Sequence, residues 1–204
     1  MKKLTKHLIA LVLLILAMQT AVAEDVKLVA AARSQIGVTQ QYDPQYTKLA
    51  YPNGDVAMVK GVCTDVVIRA LRVAHHLDLQ QLVHQDMAKN FSLYPKMWGL
   101  KKPDSNIDHR RVPNLRVYFK RHWQSFAPPF DMRGDYQAGD VVTVMLPGNL
   151  PHIMLVSDAK EKLPIEMNRN QNPLVIHNIG RGTREEASLF TYKITGHYRL
   201  PNKI

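Results

Sequence analysis

The sequence predicts an α+β domain, with helices in its first part and an antiparallel sheet in its last third. In the first part, apolar residues recur at three- and four-residue steps, as at Val66, Ala70 and Leu77, which is the spacing of an amphipathic helix. Short β-rich runs separated by turn residues follow after Pro129. Their connections are shorter than the roughly dozen residues that a parallel crossover needs, so we expect an antiparallel meander.

Four helices are predicted from apolar spacing and from start and stop signals. Acidic residues open the first helix, and Gly37 follows its end. A long loop rich in Tyr, Pro, Asn and Gly leads into the second helix, which starts just after Cys63. The predicted helices span residues 24–36, 64–77, 79–92 and 114–122.

Four strands are predicted in the last third of the chain. Gly139 and Asp140 lead into the first strand, and a Pro-Gly-Asn turn follows it. The other three runs are also apolar and rich in β-branched or aromatic residues. The predicted strands span residues 141–146, 152–158, 174–180 and 190–199.

Residues 1–23 have the pattern of a cleavable signal peptide. Lys2, Lys3 and Lys6 precede an apolar run over 8–17, and Ala21-Val22-Ala23 fits a cleavage site. The run is shorter than the about 20 residues that span a bilayer, so no stable membrane anchor is expected after cleavage. We therefore expect a periplasmic or secreted protein. Residues 24–204 then form a single domain with a helical and loop insertion at about 78–135.

The chain is basic, with a formal net charge of +10, of which three lysines belong to the predicted signal peptide. Such a charge attracts anionic partners. Outside the cytoplasm these are cell-wall polymers or membrane surfaces, although a solvated basic surface explains the charge equally well. The basic residues are not interleaved with aromatic ones in a platform for single strands, so no nucleic-acid partner is expected. The oligomeric state stays open.

The single cysteine, Cys63, is a candidate nucleophile because it cannot form an internal disulfide and because it opens a predicted helix. Free N–H groups and the helix dipole at that position favour a thiolate and a lowered pKa. The alternative is a small buried side chain at the start of a core helix. Asp65 either takes part in the site or caps the helix and pairs with Arg69.

A thiol nucleophile needs a base within hydrogen-bond reach, and His152 is the candidate because it opens an apolar strand at the rim of the predicted sheet. His177 lies inside the next strand, where an imidazole must be hydrogen-bonded. Asn178 faces the opposite side by the two-residue period of a strand, so we choose His177 to orient His152. A strand-edge histidine and a satisfied core histidine are the respective alternatives.

Neither a metal nor another cofactor is expected. The chain contains neither a His-Glu-x-x-His nor a Cys-x-x-Cys motif. His75 and His76 are adjacent on a predicted helix and so cannot share one face.

Several segments together resemble known families. A signal peptide, a cysteine that opens a helix, and the segments 32–38 (ARSQIGV), 138–142 (AGDVV) and 152–157 (HIMLVS) are similar to NlpC-type cell-wall peptidases. More closely, segments 62–70 (VCTDVVIRA), 106–114 (NIDHRRVPN), 177–180 (HNIG) and 196–199 (GHYR) are similar to YijF-like secreted proteins, a domain of unknown function.

The NlpC resemblance implies a papain-like fold in which Cys63 is the nucleophile, His152 the general base and His177 the third member. It implies hydrolysis of an amide bond in cell-wall peptide through a thioester, with peptidoglycan or another peptide-containing envelope polymer as partner. A non-catalytic wall-binding or envelope-assembly protein on the same scaffold is the alternative. The insertion adds a polar cluster, Asp108-His109-Arg110-Arg111, that is a candidate for binding an anionic part of the substrate; an ion-paired structural loop is the alternative. The substrate-binding candidates are Asp65, Asp108, His109, Arg110 and Asn178.

Overall fold

The computed structural model describes residues 25–132, 134–161 and 171–201. The predicted signal peptide, residues 1–23, lies outside these ranges. Among the helices within them, none has the length and apolar character needed to cross a membrane.

Four α-helices lie close to their predicted positions. His76 adopts the left-handed conformation, with φ of 56°, and ends the second helix. The Asp78 side chain caps the third helix by accepting a hydrogen bond from the Gln80 N–H at 3.2 Å. The helices are α1 (25–33), α2 (Cys63–His75), α3 (Leu79–Asn90) and α4 (Val112–His122), with single 3-10 turns at Phe91–Leu93 and Asp108–Arg110.

The main sheet has six strands, all paired antiparallel, in the order β3-β8-β4-β5-β6-β7. The strands are β3 (Gln124–Ser125), β4 (Val141–Leu146), β5 (Leu150–Lys160), β6 (Pro173–Asn178), β7 (Thr183–Glu186) and β8 (Lys193–Arg199). A separate parallel pair joins β1 (Gln41–Tyr42) to β2 (Lys60–Gly61).

The predicted α+β class and antiparallel sheet are confirmed, but the sheet is not a simple meander. Strands β4 to β7 follow one another, whereas β8 returns to pair with β4 on the other side. Strand β7 was not predicted because its sequence, Thr-Arg-Glu-Glu, is polar throughout. The two-residue strands β1, β2 and β3 are too short to show any period.

Side chains on the two faces of the sheet belong to different cores. Ile153 and Leu155 of β5 pack with the helices, together with Val67 of α2. Met154 and Val156 alternate with them and pack on the other face, against residues such as Val144. Helix α2 therefore lies on one face of the sheet only, with its first residue near the start of β5.

The segment predicted as an insertion is part of the main core. Leu79 and Val83 of α3 and Leu115 and Phe119 of α4 are fully buried in the same cluster as α2 and the sheet. The Phe119 ring lies 4.2 Å from that of Trp123 and 5.6 Å from that of Tyr198 on β8, measured between centroids. Helices α3 and α4 thus complete the layer that covers the sheet.

Replacing Phe119 by Ala should therefore destabilise the whole domain. We expect the free energy of unfolding to fall by about 3–5 kcal/mol, since the change leaves a cavity beneath the sheet. Urea denaturation followed by circular dichroism measures the loss. The neighbouring Lys120→Ala variant, at an exposed position, is the control. A Phe119→Ala protein as stable as this control would show that α4 does not support the sheet.

Candidate active site

Cys63 is the first residue of α2 and lies where that helix meets β5. Its side chain is buried, with a relative exposure of 5%. The backbone N–H groups of Ile153, Thr64 and Cys63 itself lie near the sulfur and act to lower the pKa of the thiol. The thiol is therefore held in contact with the residue that directly follows His152.

Burial determines the acidity of this thiol. A lowered pKa was expected from the helix N-terminus, but burial raises the pKa of Cys63 to about 12, and the charge of Asp65 adds to the rise. The three backbone N–H groups act in the opposite direction without compensating for the lost hydration. The expected thiolate is thus corrected to a neutral thiol in the resting protein.

His152 and His177 form a buried hydrogen-bonded pair. The His152 Nε2 and His177 Nδ1 atoms are 2.8 Å apart, and the two rings meet edge to face. The Nε2 of His177 lies 3.4 Å from the Ser188 hydroxyl. Burial lowers the pKa of His152 to about 3 and also lowers that of His177, so both rings are neutral at physiological pH.

The thiol and the histidine pair lie on opposite faces of the sheet at β5. His152 pairs across the ladder with Val144, which belongs to the second core, whereas Cys63 belongs to the first. The Val156 N–H bonds to Asp140 beside β4, so by alternation the Ile153 N–H points toward β6. The paired register of β5 with β6 extends only to Leu155, and the Cys63 sulfur lies near the Ile153 N–H beyond that point.

Asn178 holds the loop that carries the cysteine. Its side-chain amide donates to the Gly61 carbonyl at 3.1 Å, and its carbonyl accepts from the Gly180 N–H at 3.1 Å. The structure thus brings His177, and not Asn178, to His152. Asn178 lies on the side of the sheet that faces α2, as the strand period predicts.

Asp65 is held by Arg110 rather than by Arg69. The Arg110 Nε and Nη2 atoms lie 2.9 and 2.8 Å from the two carboxylate oxygens, and both side chains are almost fully buried. The same carboxylate accepts from the Val62 N–H at 2.7 Å and caps α2. The alternative that paired Asp65 with Arg69 was wrong, because Arg69 binds Asp55 at 2.8 Å instead.

Asp108 and His109 are buried inside the loop before α4. Asp108 accepts from the Asp104 N–H at 2.6 Å and from Arg111 Nη1 at 3.1 Å. His109 is 2% exposed, and burial lowers its pKa to about 4, so its ring is neutral. These two side chains, with Asp65 and Arg110, hold the loop against α2, and their role as substrate-binding residues stays a prediction.

A cleft of about 460 Å³ opens over Cys63. Its walls are aromatic, apolar and basic, and they come from the loop before α2, the loop before α4 and the start of β5. Sequence reasoning missed most of these residues, because only the fold brings the loops together. The lining residues are Tyr42, Pro44, Tyr46, Val62, Cys63, Met97, Trp98, Ile107, Arg110, Arg111, Val112, Pro113 and Pro151.

In the described part of the chain, no group of three or more His, Cys, Asp or Glu side chains is arranged to hold a metal ion. The two rings of the histidine pair are joined by their own hydrogen bond.

Removing Arg110 should leave the Asp65 carboxylate buried without its partner. We expect Arg110→Ala to lower the free energy of unfolding by about 3–5 kcal/mol, as measured by urea denaturation. Lys60→Ala is the control, because it removes an exposed ion pair with Asp43 and should cost at most about 1 kcal/mol. Equal losses in the two variants would contradict a structural role for the buried pair.

The raised pKa of Cys63 can be tested by its rate of alkylation with iodoacetamide. A pKa near 12 lies above the value of about 8.5 for a free cysteine, so the folded protein should react more slowly at pH 8. The rate should still be rising with pH at pH 10. The urea-unfolded protein is the control and should level off near the free-cysteine pKa. A plateau of the folded protein below pH 7 would instead indicate a resting thiolate.

Comparison with known proteins identifies the family. The family model described as "Domain of unknown function (DUF1287)" matches residues 29–200. The chain is also 55% identical over 168 residues to the Uncharacterized protein YijF of Escherichia coli (strain K12), covering 82% of this chain and 78% of that protein. The described cysteine helix, histidine strands and cleft all lie within the matched residues. The chain belongs to the DUF1287 family.

Proposed function

We propose that this protein is an exported cysteine hydrolase, an amidase or endopeptidase of the papain-like NlpC type, that cleaves an amide bond in peptidoglycan peptide. The observation that carries the proposal is the position of the Cys63 thiol. It lies near the backbone N–H of Ile153, the residue next to His152, and His152 is in turn bonded to His177. The thiol with the cleft above it thus lies on one face of the sheet at the start of β5, and the candidate base with its orienting group extends from the other face of the same strand end.

The hydrogen bonds of the two rings determine where their protons must be. For His152 to take the thiol proton on Nδ1, the ring nitrogen closer to its own backbone, its Nε2 must carry the hydrogen and donate to His177 Nδ1. The His177 Nε2 must then carry its hydrogen and donate to the Ser188 hydroxyl. The Ser188 hydroxyl can accept this hydrogen, so it is compatible with the tautomer of each ring in which His152 is a base.

The reaction starts from a neutral thiol and a neutral imidazole. As the Cys63 sulfur attacks the amide carbonyl carbon, its proton passes to His152, so no resting thiolate is needed. Because His152 extends from the opposite face of β5, the proposal requires a water molecule to relay this proton around the strand end. The carbon–nitrogen bond then breaks, and the leaving amine takes that proton. A thioester remains on Cys63. Water attacks the thioester with His152 again as base, which releases the carboxylic acid and restores the thiol.

The N-terminus of α2 supplies charge stabilisation for the intermediate. The N–H groups of Cys63 and Thr64 lie at the start of α2 near the sulfur, and N–H groups without an intrahelical partner at a helix start are suited to an oxyanion. The cleft excludes part of the bulk water, which strengthens these interactions. Its volume of about 460 Å³ falls in the range of small-ligand pockets, so it accommodates a short peptide.

One observation favours a second candidate function, a non-catalytic protein that binds the cell wall on the same scaffold. The thiol is only 5% exposed, and its pKa is raised to about 12, both of which suit a structural cysteine. This candidate uses the same cleft to bind peptide but leaves the bond intact. It predicts that binding to peptidoglycan survives the loss of the sulfur.

Replacing the nucleophile or the base separates the two candidates. We expect Cys63→Ala to abolish the release of fragments from purified peptidoglycan, and His152→Ala to lower the rate at least about 100-fold, since general-base catalysis is lost. Mass spectrometry of the soluble fragments measures release and identifies the bond. His122→Ala removes a partly exposed histidine of α4 and is the control. Undiminished release of fragments by Cys63→Ala would contradict the hydrolase proposal.

A further inference from the structure

The lining of the cleft over Cys63 contains basic side chains and no carboxylate. Two arginines, Arg110 and Arg111, line it, and no aspartate or glutamate is among the lining residues. The carboxylates that pair with the two arginines, Asp65 and Asp108, lie behind the lining. A ligand in the cleft therefore meets guanidinium donors and no carboxylate, which favours an anionic ligand.

The two arginines are not equivalent. The charge of Arg110 is matched by Asp65, which takes both its Nε and Nη2 atoms at 2.9 and 2.8 Å. Arg111 uses only Nη1, which lies 3.1 Å from Asp108. Within the described ranges, its Nε and Nη2 groups have no hydrogen-bond partner. Arg111 is therefore the arginine of the cleft whose Nε–Nη2 edge is not already taken by a carboxylate.

The guanidinium of Arg111 is already held in one orientation. Its central carbon lies 4.1 Å from the centroid of the Trp98 ring, which covers one of its faces. Asp108, itself bonded to the Asp104 N–H and the Asn114 amide, fixes the Nη1 end. The edge formed by Nε and Nη2 remains, and this edge matches the two oxygens of a carboxylate.

We infer that Arg111 is a specificity-determining residue that binds a free carboxylate of the substrate, next to the amide bond that Cys63 attacks. The inference rests on the proposed function for the position of that bond. The substrate class is an acidic peptide whose carboxylate lies beside the scissile bond. Trp98 has a double role, since it orients the guanidinium and forms the adjacent apolar wall.

A binding experiment without turnover tests the inference. The Cys63→Ala protein is titrated by calorimetry with a soluble peptide stem of peptidoglycan and with the same stem whose carboxylates are amidated. Amidation of the stem removes the carboxylate, and Arg111→Gln removes the guanidinium. Each change alone should weaken binding by about tenfold or more, because each removes a charged hydrogen-bond pair. Because both changes remove the same contact, the second should add little to the first.

The control is Arg181→Gln, which removes one positive charge from an exposed site outside the cleft and should leave both affinities unchanged. Three outcomes would each overturn the assignment. They are equal affinity for the acid and amidated stems, additive losses of affinity from amidation and Arg111→Gln, and no binding of the acid stem. A cleavage assay on the wild-type protein distinguishes the carboxylate site from the hydrolase proposal. Cleavage of both stems at equal rates would overturn the carboxylate site alone, whereas carboxylate-dependent binding without cleavage would overturn the hydrolase alone.

Discussion

The site depends on one buried carboxylate, that of Asp65. It accepts the Val62 N–H at the start of α2 and both donor groups of Arg110 from the loop before α4. A single side chain therefore caps the helix that carries Cys63 and fixes the loop that forms the far wall of the cleft. Burying the Asp65 carboxylate costs free energy of hydration, and its hydrogen bonds to Val62 and Arg110 together offset that cost. The geometry of the cleft and the direction of the helix start are thus set by the same group.

The sheet separates the two halves of the candidate machinery. Helix α2 and the thiol lie on one face, and the histidine pair starts from the other, where Ser188 and the second core surround it. Burial on both faces has opposite effects on the two kinds of group. It raises the pKa of the thiol to about 12 and lowers that of His152 to about 3, so each is held in its neutral form. In the proposed reaction, the proton leaves the thiol only when a substrate carbonyl is in place to receive the sulfur.

Much of the fold could be predicted from local sequence patterns. The spacing of Val66, Ala70 and Leu77 gave the position of α2, and the β-branched run after Asp140 gave that of β4. The two-residue period of a strand also assigned His177, rather than Asn178, to the side of His152. The pairing of β8 with β4 could not be predicted, because the pattern of a strand does not indicate which other strand it pairs with.

The site was harder to predict than the fold, for a physical reason. The helix N-terminus correctly indicated donors around the Cys63 sulfur, but the sign of its pKa shift depends on burial, which a local pattern does not reveal. Similarly, Trp98 and Arg111 come from a loop with no period, and only the packing of α3 and α4 brings them to the cysteine. Asp65 was recognised as a capping acid, yet its partner lies 45 residues away.

The paired register of β5 with β6 extends only to Leu155, and this has a consequence for Ile153. The Ile153 amide would bond to β6 if the ladder continued, but the Cys63 sulfur lies near that position instead. The surroundings of this amide therefore depend on the chemical state of the sulfur. In the proposed reaction, acylation would give the sulfur a second bond to carbon and a larger group, which would disturb this strand junction. The chemical shift of the Ile153 amide proton would then report what the cysteine carries.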